Sequence, residues 1–135
     1  MIMGSCWNAW ELRDGWKLID QDIGWVETIA LELAILWLVD AGFNNSSVVV
    51  HSDNTGVVGA YNNGWSCNLK RNKSLQHTTC TLANSGLTIL PVYITSASNL
   101  VDAPSHGCFS SPSHRLSCSF TLPPPLKRWP ISVPT

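Results

Sequence analysis

The sequence predicts an α/β layered domain, and three observations carry that reading. A long helical pattern covers residues 23–41, a short β-branched run (Val48-Val49-Val50) is bounded by turn residues, and the elements alternate as β-α-β-α-α-β. The 135 residues are 44% apolar and 13% charged, enough to bury one core and too short for two full domains. Eight Lys and Arg against nine Asp and Glu leave a net charge of −1. That balance excludes a uniformly basic nucleic-acid binder and leaves room only for a local basic patch.

In chain order, residues 6–13 read as a strand that ends in the Asp14-Gly15 turn. Asp22 caps the helix that follows, and Gly42 stops it. At ~100° per residue, Ile23, Val26, Ala30, Leu33, Ala34, Trp37, Leu38 and Ala41 form one broad apolar stripe. Val48 to Val50 has the composition of a strand covered on both faces. Residues 54–61 fit a short helix and 71–84 a polar one. Residues 87–94 fit a strand whose Pro91 demands an edge position.

Composition changes near residue 103. Residues 1–102 hold all nine acids and five bases, a net −4, whereas residues 103–135 hold Arg115, Lys127 and Arg128 and no acid. The latter stretch also has seven of the eight prolines and seven serines, so it reads as a Pro/Ser-rich, mostly disordered tail. Phe120, Leu122, Leu126 and Trp129 are its docking points. The expected division is therefore 1–102 and 103–135. No apolar run reaches the ~18 residues that span a bilayer, and no signal-peptide pattern opens the chain. Five cysteines, odd in number and without framework spacing, fit free thiols. The expectation is an intracellular chain with no membrane partner.

Three carboxylates attract attention. On the helix, Glu27 falls roughly 55° from the stripe's centre, in the buried sector, while Glu32 falls nearly opposite, among solvated positions. A carboxylate near the core must be paired, hold a metal, or open onto a cleft; a rim position reaching water is the plainer alternative. Asp53 directly follows a strand, at the end where open α/β sheets bind ligands, although it also suits the cap of the next helix. Asp102 follows the last strand in a polar loop, where a lone acid is ordinarily a cap or loop residue. Convergent carboxylates with little positive charge nearby suit hard divalent cations such as Mg²⁺.

The stretches Trp25-Val26-Glu27-Thr28-Ile29-Ala30-Leu31-Glu32-Leu33-Ala34, Val49-Val50-His51-Ser52-Asp53-Asn54 and Asn99-Leu100-Val101-Asp102-Ala103 resemble successive acidic motifs of a ribonuclease H domain. The resemblance is greatest to the ribonuclease H-like domain of gypsy-type reverse transcriptase retroelements and covers roughly residues 4–107. It implies a mixed sheet flanked by helices and cleavage of the RNA strand of an RNA–DNA hybrid. It further implies two Mg²⁺ ions held by Glu27, Asp53 and Asp102, and a parent polyprotein with an attached reverse transcriptase domain. Lys70, Arg71 and Lys73, with Asn99 of the final motif, are the corresponding candidate nucleic-acid contacts; a solvated helix start is the alternative for the basic cluster.

The departure from that family is large. Its first catalytic aspartate, on the first and central strand, has no match, because Met1-Ile2-Met3-Gly4 resembles the end of the second strand. Asp14 and Asp22 do not substitute, and His106 lies on the wrong side of Asp102. The expectation is an N-terminally truncated domain with an apolar unpaired strand edge at Val48 to Val50 and little or no nuclease activity. A non-catalytic α/β nucleic-acid-binding or interaction domain is the alternative. His106, Cys108, His114 and Cys118 do not have a common zinc spacing and read as incidental tail residues.

Overall fold

The computed structural model covers Met1 to Thr135. It describes all residues except Ser5, Asp20, Asp102, Ala103, Ser105, Gly107, Ser110, Cys118, Ser119, Pro125 and 133–135, with backbone alone for Pro130–Ser132. The chain is mixed α/β, as predicted. Its elements are β1 (Ile2–Met3), β2 (Cys6–Trp7), β3 (Trp10–Leu12), α1 (Ile23–Asp40), β4 (Ser47–Ser52), α2 (Thr55–Asn63), α3 (Leu69–Ser85), β5 (Thr88–Tyr93) and β6 (Pro130–Ser132). The predicted strand 6–13 is split at Asn8-Ala9 into β2 and β3.

The described strands form three two-stranded sheets: antiparallel β1–β2, antiparallel β3–β6 and parallel β4–β5. The chain divides into two units, one of Met1–Trp16 with Leu100–Thr135 and one of Lys17–Asn99. This differs from the boundary drawn at residue 103 from composition. The reason is that the few apolar side chains of the tail are used. Phe109 stacks on Trp7 with ring centroids 4.8 Å apart, Phe120 meets Trp10 at 6.2 Å, and Leu126 and Trp129 are buried. Ser111 accepts from the Trp7 indole N–H at 3.0 Å, and Arg115 lies over the same ring while donating to Asn8 Oδ1 at 3.2 Å. Phe120, Leu126 and Trp129 are among the docking points expected from sequence, whereas Phe109 and Arg115 are not.

The unit Lys17–Asn99 holds α1, α2 and α3. Asp22 caps α1, its Oδ1 accepting from the Trp25 N–H at 2.9 Å. Gly64 (φ 79°) and Gly86 (φ 68°) end α2 and α3 in the left-handed conformation that side chains resist. The core is centred on Leu31, Ile35 and Val57, with Val50, Tyr61, Leu82 and Ile89 packed against it, so α1 lies across one face of the β4–β5 pair. Register pairs Val48 with Ile89 and Val50 with Pro91 on that face. Pro91 has no N–H to give, and β5 has a strand on one side only among the described residues, as an edge position requires.

Two predictions about faces need correction. Val49, Leu90 and Val92 are 54%, 46% and 42% exposed, so β4 is covered on one face rather than both. Its second edge carries no described strand, in line with the expected unpaired edge. On α1 the inferred stripe holds only in part: Leu33, Trp37 and Leu38 are buried, but Ile23 is 61% exposed, Ala30 and Ala41 are exposed, and Thr28, Ile29, Leu31, Glu32 and Ile35, outside the stripe, are buried. The helix is apolar on nearly every side, so periodicity alone selects no face. Glu32, predicted to be solvated, is the most buried acid among the described residues. It faces α3, whose buried positions Ser74, Leu75 and Thr78 are largely polar and need partners on α1 and α2.

Candidate acidic site

Five charged or polar groups gather where α1 and α2 begin. Asp22, besides capping α1, accepts from Arg71 Nη2 through both oxygens, at 2.9 and 2.7 Å. The Arg71 hydrogen bond and then the Trp25 N–H hold its carboxyl below the usual aspartate range. The Arg71 guanidinium occupies the space a Cβ would take at Gly24, which is why the first turn of α1 has a glycine there. Arg71 Nε is buried without a hydrogen-bond partner.

Glu27, one turn further along α1, is half-buried, and its Oε2 is a buried oxygen with no hydrogen bond. Burial pushes its pKa up, and the neighbouring Asp53 charge adds to that; a hydrogen bond from the Asn54 side chain and the Arg71 charge act in the opposite direction. Asp53 is half-buried and directly follows the last residue of β4, at the carboxyl end of the parallel pair. It does not cap α2. That role belongs to Asn54, whose Oδ1 accepts from the Val57 N–H at 3.0 Å, leaving its amide for Glu27.

The structure sets Glu27 and Asp53 within reach of each other's charge; Asp102 lies outside the described residues. Among the described residues no group of three or more His, Cys, Asp or Glu could hold a metal ion. What is present is two hard oxygen donors, one with an orphaned oxygen, which fit part of the ligand set of a divalent cation. Of the candidate nucleic-acid contacts, Arg71 is committed to Asp22, 49 residues away, rather than offered to a phosphate. Lys70 is half-buried and Lys73 exposed on the first turns of α3, and Asn99 is half-buried after a 3-10 turn at Ser96–Ser98. Sequence reasoning missed the Arg71–Asp22 pair. The one signal for it was Gly24, a helix-weakening residue that marks a close approach.

A depression at the opposite end of α1 and α3, lined by Val39, Phe43, Asn45, Asn84 and Gly86, offers no titratable side chain. No described helix is long and apolar enough to cross a membrane.

Asp22→Ala removes a cap and an exposed ion pair together, and about 1–2 kcal/mol of stability should be lost in urea unfolding. Asp22→Asn keeps the cap and should lose less. Because the folded-state pKa of Asp22 is lowered, its contribution is present above the ordinary aspartate pKa and disappears as pH falls through the lower folded value. The wild-type advantage over Asp22→Asn should therefore shrink in acid.

Compared with known proteins, the chain matches no family model, no curated protein and no solved structure.

Proposed function

We propose that this chain carries part of a ribonuclease H-type domain that acts on RNA–DNA hybrids, with Glu27 and Asp53 as two of the carboxylates that hold Mg²⁺. The observation that carries the reading is the pairing of a helix glutamate, one oxygen of it buried and unpartnered, with an aspartate at the carboxyl end of a parallel strand pair. Two like charges sharing a half-buried site repel, and a divalent cation converts that repulsion into binding energy. The chain's own contribution is positional: Asn54 orients Glu27 while capping α2, and Arg71 holds Asp22 at the start of α1.

In the intact family a pair of bound Mg²⁺ ions supplies the activated water and stabilises the leaving oxygen. Ion binding and strand cleavage are separable, so each is measured by itself. The test incubates the full chain with labelled RNA–DNA hybrid in Mg²⁺ or Mn²⁺, and measures Mn²⁺ binding separately. Saturable Mn²⁺ binding that Glu27→Gln removes, with little or no hybrid cleavage, supports the reading. Absence of divalent binding would leave the alternative, a non-catalytic α/β domain, to be tested by hybrid affinity in chelator. Vigorous cleavage would show that the domain is a working enzyme.

A further inference from the structure

A second carboxylate lies outside the acidic site, in the middle of the α1–α3 contact. Glu32 is 2% exposed. Ser74 Oγ donates to its Oε2 at 2.7 Å, and His77 Nδ1 lies 3.5 Å from Oε1, an oxygen with no hydrogen bond of its own. Ser74 and His77 stand three residues apart on α3, on neighbouring turns of the same face. From α2, Tyr61 faces the same carboxylate with its hydroxyl bonded to Thr78 Oγ1 at 3.3 Å; burial keeps its phenol protonated well above the usual range. The sheet side of α1 adds apolar groups, among them Val50 and Ile89. Among the described residues the group beside Glu32 that can carry a positive charge is His77, whose side chain is 41% exposed and so reaches water.

We propose that Glu32 and His77 share one proton and form a pH-operated latch between α1 and α3, closed while the proton is held and loosened when it leaves. With the proton on the imidazole, a buried carboxylate has a counter-charge; with the proton on Glu32, there is no buried charge at all. Once it departs to solvent through His77, a buried carboxylate remains with hydrogen bonds but no counter-charge, the costly arrangement. Burial raises the Glu32 pKa, opposed by the Ser74 hydrogen bond and by His77, in the direction this requires. In the unfolded chain glutamate and histidine titrate near about 4.3 and 6.5, whereas burial raises the folded value of Glu32, so the native state keeps the carboxylate's proton to higher pH than the unfolded chain. Folded-state retention means that stability is complete at low pH and is lost as pH rises through the raised folded value of Glu32. Within that window the unfolding constant rises up to about tenfold per pH unit.

The test is urea unfolding of the full chain across pH 5–9, followed by tryptophan fluorescence, for wild type, Glu32→Gln and His77→Gln. The expected result is a rise approaching tenfold per unit above about pH 6.5 in wild type. Glu32→Gln, which keeps the Ser74 contact without the charge, should lack it. His77→Gln should move the onset toward the ~4.3 of an isolated glutamate. A wild-type slope in Glu32→Gln, or an onset unmoved by His77→Gln, would overturn the latch. Should either variant fail to fold, carbon-13 NMR of the wild-type Glu32 carboxyl decides. A midpoint coinciding with that of the unfolding constant supports the latch, and complete titration near about 4.3 refutes it.

Discussion

Ile35→Ala is expected to destabilise the helix–sheet unit by about 2–5 kcal/mol, enough to unfold a marginal domain outright. Ile35 is 1% exposed and sits with Leu31 and Val57 at the centre of the core, against Val50 and Ile89 of the β4–β5 pair. Removing its outer carbons deletes dispersion contacts on several sides at once, and a helix held by both a sheet and a second helix cannot collapse into the void. The paired control is Ile23→Ala. The periodic stripe read from sequence places Ile23 in the core, whereas it is 61% exposed at the first position of α1. Its loss should cost within about 0.5 kcal/mol. Urea midpoints of the two variants separate the alternatives: similar costs, or a larger one at Ile23, would mean that α1 buries a different face.

That contrast marks the limit of what the sequence discloses. Helix ends were legible because they are local. Asp22 as a cap and Gly42, at φ 93° just past the end of α1, act through neighbouring backbone groups. The strand at Val48 to Val50 and the edge position of Pro91 were legible for the same reason. The buried face of α1 was not, because a helix apolar on nearly all sides has no periodic signal to read. The two glutamates show the consequence: angular position on a wrongly centred stripe predicts a buried Glu27 and a solvated Glu32, while α3 buries Glu32 through Ser74 and His77. Of the acidic site, Glu27 and Asp53 could be named from motif order. Their ties to Asn54 and Arg71 depend on contacts between elements distant in sequence, for which a single chain has no pattern.

In the acidic site, Glu27→Gln should have opposite effects with and without a divalent ion. Without one, Glu27 has a raised pKa, first from burial and then from Asp53, so its ionisation opposes folding. The sign follows: stability is greatest below the unfolded glutamate pKa and falls as pH rises through the higher folded value. Glu27→Gln removes that fall, and metal-free at neutral pH it should be as stable as wild type or more so. With Mn²⁺ at about 100 times its dissociation constant, wild type should gain about 2.7 kcal/mol that the variant does not. Asp53→Asn should remove the same gain, since the ion needs both carboxylates. A variant destabilised equally with and without the ion would make Glu27 an ordinary structural residue. Stabilisation by Mn²⁺ that persists in both variants would mean that the ion binds elsewhere, and the carboxylate pair would then have no claim on the chemistry of a nuclease.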